Sequence, residues 1–490
     1  MNKFVIFFIT ITVILFGSFG PLSSQEISLK EKAFVLKISQ TIHSLKNRSN
    51  TIWKNYNLSD TPVIVSFSNE HIYAFNLKSN NPAWKILDET ETETLFSDTD
   101  PWGINKITMQ DKFIVDGTET FVFRIDENEN NGFADRPVLV LVHELFHRYQ
   151  FANFKKSDDV GRYEDQSNIE NLSMIELEER ILIDFLKVPK NEKLEALKNF
   201  MAVNQARNQI ISKASIKWER FQQVMEGLAD YAATETFDTF PIIEKFDGEK
   251  HLQILLSGYI YSEDPQELAV KWRHYGVGAA LGKALDFLKV SGWKDRVELG
   301  ESQGSILEKS IVLSNTEIKK RLAQLKNRYK YTELKQNIEK KVNGFREMME
   351  DLRLDYEAQD GFVVLIEKPY EISINGGGST CGIFHLDYGM TVSVKDKSFS
   401  SSTDNTWKIE LKEIPFLLQN RDGSRILKVD HELNMLLDGK AVSIQDLKSS
   451  KKERPFKTLS WDCQTSSFES VEREGHIICD DEGLSIIYNH

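Results

Sequence analysis

Residues 135–150 read Asp-Arg-Pro-Val-Leu-Val-Leu-Val-His-Glu-Leu-Phe-His-Arg-Tyr-Gln and contain the pattern H-E-x-x-H at His143, Glu144 and His147. On a helix, positions i and i+4 lie one above the other on one face, so two imidazoles at this spacing can grip one metal ion from the same side. Glu144 then falls close to the open coordination position. There it can take a proton from a metal-bound water and later pass it to a leaving group. Asp135 is placed to cap such a helix, and Pro137 is tolerated in its first turn. The run Val138 to Val142 also has strand character, but the apolar pattern continues through Leu145, Phe146 and Tyr149, which favours a buried helix. Ionisable groups in such a run have to be paired or liganded, because burying them alone is costly.

A second stretch, Val224-Met225-Glu226-Gly227-Leu228-Ala229-Asp230-Tyr231-Ala232-Ala233, has complementary chemistry. A catalytic zinc site needs three protein ligands and one position left for water. Glu226 can supply the third ligand. Asp230, one helical turn later, can accept the N–H of a ligating imidazole and fix its tautomer. The bland alternative is an exposed acidic pair on an amphipathic helix, which the small apolar residues around it disfavour.

H-E-x-x-H followed downstream by E-x-x-x-D resembles the gluzincins, the thermolysin-like zinc metallopeptidases, and Glu-Gly-Leu-Ala-Asp-Tyr is close to the form the second motif takes in several of their families. The resemblance covers roughly residues 60–290 and is concentrated at the two motifs. It implies His143, His147 and Glu226 as zinc ligands, Glu144 as general base and Asp230 as the partner of a ligating histidine, His143 in particular. The gap from His147 to Glu226, 79 positions (226 − 147), is much longer than in the common gluzincins. Gluzincins also place a Tyr or His beyond the third ligand to stabilise the oxyanion. Tyr275 and His274 stand in that position, with ordinary packing as the alternative for both, and Tyr231 is a weaker candidate.

The elements that must position these residues follow from the pattern. Phe34, Ile38, Ile42 and Leu45 recur at helical spacing within 26–60. Strands are expected at Pro62 to Phe67 and Ile72 to Phe75, then as a hairpin whose arms, Phe113 to Val115 and Thr120 to Ile125, flank the turn signal Asp116-Gly117. A strand-rich layer just ahead of the H-E-x-x-H helix fits the gluzincin arrangement, in which the sheet's edge strand holds an extended peptide. Asp126 to Asn131 reads as a solvated acidic loop without the full EF-hand pattern. Residues 152–218 form an insertion with two helical patterns, Asn168 to Leu186, stopped by Pro189, and Asn191 to Ile211. It can serve as a lid, a wall or plain packing. Glu179 interrupts the apolar stripe of the first pattern, as a buried partner for an Arg or as an alternative metal ligand. Gly278 and Gly282, at i and i+4, would let another element approach closely.

The predicted class is α+β. A gluzincin-like catalytic domain, a small sheet plus helices, spans 25–314 and carries the insertion 152–218. A charged helical connector follows at 315–358. A β-rich C-terminal domain at 359–490, read as a sandwich, is marked by short strand-like runs such as Phe362 to Ile366, Glu371 to Ile374, Met390 to Val394, Trp407 to Leu411 and Ile426 to Val429. Gly376-Gly377-Gly378 lacks the Gly-Lys-Ser/Thr continuation of a phosphate loop.

Residues 1–24 read as a secretory signal peptide, with Lys3, the apolar run Val5 to Phe16 and a cleavage position at Ser24. No Cys near it suggests a lipid anchor, and no later run is long enough for a membrane span, so the expected location is secreted or periplasmic. The net charge of −13 and the lack of a basic block argue against nucleic acid as a partner. Cys381, Cys463 and Cys479 allow one disulfide in an oxidising compartment; Cys463–Cys479 closes the shortest loop, and the other pairings stay open.

The expected activity is hydrolysis of peptide bonds in a peptide or protein substrate, with Zn2+ as cofactor and a zinc-bound water activated by Glu144. The alternatives are a non-catalytic binding protein on a peptidase-like scaffold and a metal hydrolase of non-peptide substrates. The intact His143, Glu144, His147 and Glu226 weigh against the first; spacing alone does not separate the second.

Overall fold

A computed structural model describes residues 27, 29–56, 61–67, 71–88, 94–104, 109–125, 136–156, 162–244, 246–257 and 265–358, and, further on, 362–366, 374–376, 380–386, 389–394, 397–401, 407–411, 416–420, 425–429, 434–450, 454–462, 466–470, 475–479 and 484–488. The expected signal segment, the cap at Asp135, the loop Asp126 to Asn131, Cys463 and the side chain of Cys381 lie outside these residues, and the choice of a disulfide lies with them.

The first helix, α1 (Leu29–Ile52), buries Phe34, Ile38, Ile42 and Leu45, the residues that recur at helical spacing. A six-stranded sheet follows, with β1 (Val63–Phe67), β2 (Ile72–Phe75), β3 (Lys85–Asp88), β4 (Thr94–Ser97), β5 (Met109–Val115) and β6 (Thr118–Ile125) in the order β3-β4-β2-β1-β6-β5. β1 pairs antiparallel with β2 and parallel with β6. Its side chains alternate between two cores: Val63, Val65 and Phe67 enter the main one, and Ile64 enters a second with Ile72, Ala74, Trp84 and Val122. β3 and β4 are strands the pattern did not suggest. The hairpin turns at Asp116 and Gly117, both at positive φ (48° and 77°), as a tight primed turn requires. The Asp116 carboxylate also accepts from Trp84 Nε1 and Trp102 Nε1, each at 3.0 Å, and so anchors the turn to the second core.

Helices build the rest of this unit: α2 (Arg136–Asn153), α3 (Ile169–Lys187), α4 (Lys190–Arg207), α5 (Lys213–Gln222), α6 (Leu228–Thr239), α7 (Gly248–Ser257), α8 (Pro265–Glu267), α9 (Arg273–Phe287), α10 (Trp293–Glu298), α11 (Gln303–Ser310), α12 (Asn315–Arg328) and α13 (Tyr331–Ala358). α2 is a helix, not a strand. Its buried residues Val138, Leu141, Val142, Leu145, Phe146 and Tyr149 recur at three and four, which places them on one helical stripe. Asn168 and Ser212 cap α3 and α5 by accepting from the backbone N–H three residues on. Two π-helical segments, Gln223–Gly227 and Leu268–Trp272, join α5 to α6 and α8 to α9 without a break.

The two long composite helices touch backbone to backbone. A Cβ added at Gly227 would lie 2.4 Å from Gly278 Cα, and one at Gly278 would lie 2.3 Å from Gln223 O. Gly282 leaves the corresponding room for the Tyr231 ring, whose hydroxyl donates to Asp286 Oδ2 at 2.5 Å. Tyr231 is thereby a packing residue.

α3, α4, α5 and α9 enclose a charge network. Arg207 donates to Glu178 at 2.8 Å and to Glu219 at 2.5 and 2.8 Å, and Arg273 donates to Glu178 at 2.7 Å and Glu219 at 3.2 Å. Glu179, partly buried, lies 3.3 Å from Arg273 Nε, so it is the partner of an Arg and not a member of the metal triad. Burial raises the Glu219 carboxyl, but the two guanidiniums outweigh it and hold Glu219 down to about 2. Glu179 goes the other way: burial, aided by Glu176 and Glu178 against the pull of Arg273, pushes it up to about 8. Two guanidiniums face three carboxylates, and the third, Glu179, has its pKa raised.

The chain divides into two units, through Glu339 and from Lys340, so the division falls within α13. Residues 315–358, expected as a helical connector, hold the helices α12 and α13. α12 packs on α4, and Arg321 pairs with Glu195. In the second unit, strands run at Phe362–Ile366, Ile374–Gly376, Gly389–Val394, Trp407–Leu411 and Arg425–Val429, among others. Its described strands form one eight-stranded and one seven-stranded sheet. The class is mixed α and β, consistent with α+β.

Gly278→Ala forces the two composite helices apart and is expected to cost about 2–3 kcal/mol, measured by denaturant unfolding. The charge network makes stability depend on pH in both directions. Glu219, depressed on folding, contributes stability above its unfolded pKa, and this is lost as pH falls through about 2. Glu179, raised on folding, contributes stability at low pH, and this is lost as pH rises towards about 8. Melting temperatures across pH should show Glu179→Gln removing the loss between 4.5 and about 8 while the acid decline persists.

Candidate metal centre

α2 and the π segment 223–227 converge on three ligand-bearing side chains. His143, His147 and Glu226 each offer one donor atom, and these atoms lie within 4.8 Å of one another. Glu226 Oε2 is 3.4 Å from His143 Nε2 and 3.4 Å from His147 Nε2. That is longer than a good N–H···O bond of about 2.9 Å. It matches the separation of neighbouring ligands around a tetrahedral ion, about 3.3–3.6 Å when each bond is about 2.0–2.2 Å. The two rings stand nearly perpendicular, with centroids 4.5 Å apart. The residues therefore fit a metal ion by distance and by donor type.

Each imidazole is oriented from behind. His143 Nδ1 lies 3.1 Å from Asp230 Oδ1, so a proton on Nδ1 is donated to the carboxylate and Nε2 faces the triad. His147 Nδ1 lies 2.7 Å from Gln150 Oε1. The amide orientation is set by its other end, since Gln150 Nε2 donates to Val224 O at 2.8 Å and Met225 O at 3.0 Å. An amide nitrogen facing two carbonyls leaves its oxygen to accept from His147 Nδ1–H. Gln150 thus fixes one ligand and ties down the π segment that carries another. Sequence reasoning passed over it, although its position three residues after His147, on the same helix face, was a usable signal.

The π segment matters because one extra residue in a helical turn re-aims the side chains that follow and redirects backbone carbonyls. Gln150 collects two of those carbonyls.

Burial pushes His143 down, but the charge and hydrogen bond of Asp230, with Glu226 and Glu144 nearby, raise it to about 10. Burial pushes Glu226 up, but its contacts with His143 and His147 hold it below the usual carboxylate range. The carboxylates that attract a proton here would attract a metal cation in its place. Glu144, the residue after His143 on α2, is partly exposed.

The two oxyanion candidates separate. The Tyr275 ring stacks on His143, with centroids 5.6 Å apart and planes 10° from parallel, and it is partly exposed. His274 is not available to a bound molecule. Its ring is fully buried, with Nε2 3.0 Å from Ala269 O, and burial together with the neighbouring Arg273 charge lowers it to about 3. A neutral ring has one N–H, and the Ala269 carbonyl occupies it. Consecutive helical residues point about 100° apart, which is why Tyr275 reaches the triad and His274 turns to the core.

Comparison of the chain with protein-family models, with curated proteins and with solved structures gives no match.

Gln150→Leu keeps the shape of the side chain but removes both ends of the strut. Metal affinity should fall about 10- to 100-fold, as for loss of other groups that orient a ligand. Competition with a chromophoric chelator measures this; unchanged affinity would remove Gln150 from the site.

Proposed function

We propose that this protein is an exported zinc metallopeptidase of gluzincin type. The observation that carries the reading is the pair of 3.4 Å contacts from Glu226 to both imidazoles of H-E-x-x-H, with Asp230 behind His143. Two imidazoles and one carboxylate are a donor set that zinc favours, and three protein ligands leave the fourth position open, as in catalytic sites.

Zinc, when bound, would make water a stronger acid and polarise the scissile carbonyl. Everything else falls to the chain. Asp230 and Gln150 hold the two imidazoles with Nε2 towards the ion. Glu144 receives the proton of the attacking water at its carboxylate and returns it to the leaving amine. Tyr275, beside His143, donates its phenolic hydrogen to the oxygen that becomes negative. β5 lies at an edge of the sheet and can align an extended peptide through its backbone. Among the described residues no helix is long and apolar enough to cross a membrane.

The experiment is zinc content and peptide cleavage on the mature chain and two variants. The parent should hold about one zinc and cleave peptides in a broad library. Glu226→Ala should lose the metal or bind it far more weakly. Glu144→Gln should keep the metal and lose nearly all activity, about 100-fold or more, as expected when a general base is removed. A parent that takes up no zinc after reconstitution would sink the enzyme reading. Zinc uptake without any peptide cleavage would leave a binding protein or a hydrolase of other substrates.

A further inference from the structure

A cavity of about 1340 Å³ adjoins the triad on the side of α5 and α11. No triad residue lines it, but two neighbours of the triad do: Gln150, whose Oε1 lies 2.7 Å from His147 Nδ1, and Met225, which precedes Glu226. Phe151 lines it too and stacks on the His147 ring with centroids 6.0 Å apart. Pockets for small organic ligands enclose roughly 300–1,000 Å³, so this one suits a longer chain segment.

Its lining is strongly cationic. Lys155, Lys156, Lys213, Lys217, Arg220 and Lys309 face only two acidic residues, Glu301 and Glu308. Both acids pair with cations, two of them, Lys309 and Arg220, from this same set, so basic residues outnumber acidic ones by four (6 − 2). Glu301 pairs with Arg296 and Lys309, and Glu308 lies 3.5 Å from Arg220. Burial is a minor influence on Glu301, and the cations hold it down to about 2. The positive excess is concentrated rather than scattered, for Lys213, Lys217 and Arg220 recur at i, i+4 and i+7 on one face of α5. This occurs in a chain whose net charge is −13. A concave cationic wall in an acidic protein focuses its field on an anionic guest. Phe154, Ile216 and Phe221 give the same cavity apolar surface for aliphatic stems.

We propose that this cavity receives an acidic stretch of the polypeptide substrate, so that the site prefers chains carrying several Asp or Glu residues to one side of the cleaved bond. The proposal rests on the peptidase reading and assigns its substrate class. Size selects a chain over a small anion, charge selects carboxylates, and Gln150, Met225 and Phe151 place the cavity beside the metal residues.

The test uses two labelled decapeptides, one with four Asp or Glu residues and one with Asn or Gln in their place, on the zinc-loaded full chain. Cleavage of the acidic peptide should show the lower KM, and raising salt should erase the difference. Lys213→Glu/Lys217→Glu should raise KM for the acidic peptide about tenfold or more and leave the neutral one within about twofold. Lys155→Glu/Lys156→Glu, which alters a different segment, should act in the same direction and guards against a folding defect in α5. Zinc content of both variants should equal that of the parent. Equal effects on both peptides, or no preference in the parent, would overturn the proposal while leaving the peptidase reading intact. If neither peptide is cleaved, fluorescence anisotropy on the same chain still decides. Selective binding of the acidic peptide, lost in both variants, would uphold the cavity's role. Equally tight binding of an oligonucleotide of the same charge would overturn the peptide assignment.

Discussion

Gln150 sits between two demands that an apolar core makes at once. A buried imidazole needs a partner for its Nδ1 proton, and a π-helical segment needs donors for the carbonyls it misaligns. One amide meets both, with its oxygen on His147 and its nitrogen on Val224 and Met225. The ligand helix α2 is thereby connected to the segment that carries Glu226, and the 3.4 Å contacts to the two imidazoles depend on that connection. Asp230 completes the arrangement from the next turn by partnering His143.

The same segment is positioned from its other side by the absence of side chains. Gly227 and Gly278 let the backbone of α9 press against the π segment, which brings Tyr275 over His143. α9 is in turn held at its start by Arg273, whose guanidinium is buried among Glu178, Glu179 and Glu219. The segment between H-E-x-x-H and E-x-x-x-D is thus part of the support. α3 supplies Glu178 and Glu179, α4 supplies Arg207, and α5 supplies Glu219. A buried ion network of this kind adds little net stability over an apolar core of the same volume, but removing any one member leaves a charge stranded. Its effect is to hold α3, α4, α5 and α9 in one relative arrangement.

Burial also explains why so many charged groups in this unit depart from their ordinary pKa values. Glu219 and Glu226 are held low by adjacent cationic or imidazole groups, Glu179 is raised because burial outweighs the pull of Arg273, and His274 is held neutral. The second unit is built on other terms. Its strands alternate along two sheets, and the residue types that mark them, β-branched and aromatic between Gly- and Ser-rich breaks, are legible without any tertiary information.

What the sequence determined by itself is local. H-E-x-x-H and E-x-x-x-D each place their residues one helical turn apart, and helical geometry alone puts His143 beside His147 and Glu226 beside Asp230. The helical stripes of α1, α2 and α3, the primed turn at Asp116-Gly117 and the need for a close approach at Gly278 follow from the same short-range rules. Only the tertiary structure decided how elements 79 positions apart meet (226 − 147), because that depends on packing along the whole segment between them. It put Gln150 between the motifs and turned Tyr275 towards His143 while Ala269 kept His274 in the core. It gave Glu179 to Arg273 and set six basic side chains around one cavity. Spacing along a helix fixes which residues share a face; which face meets which partner is set by the burial of all the others.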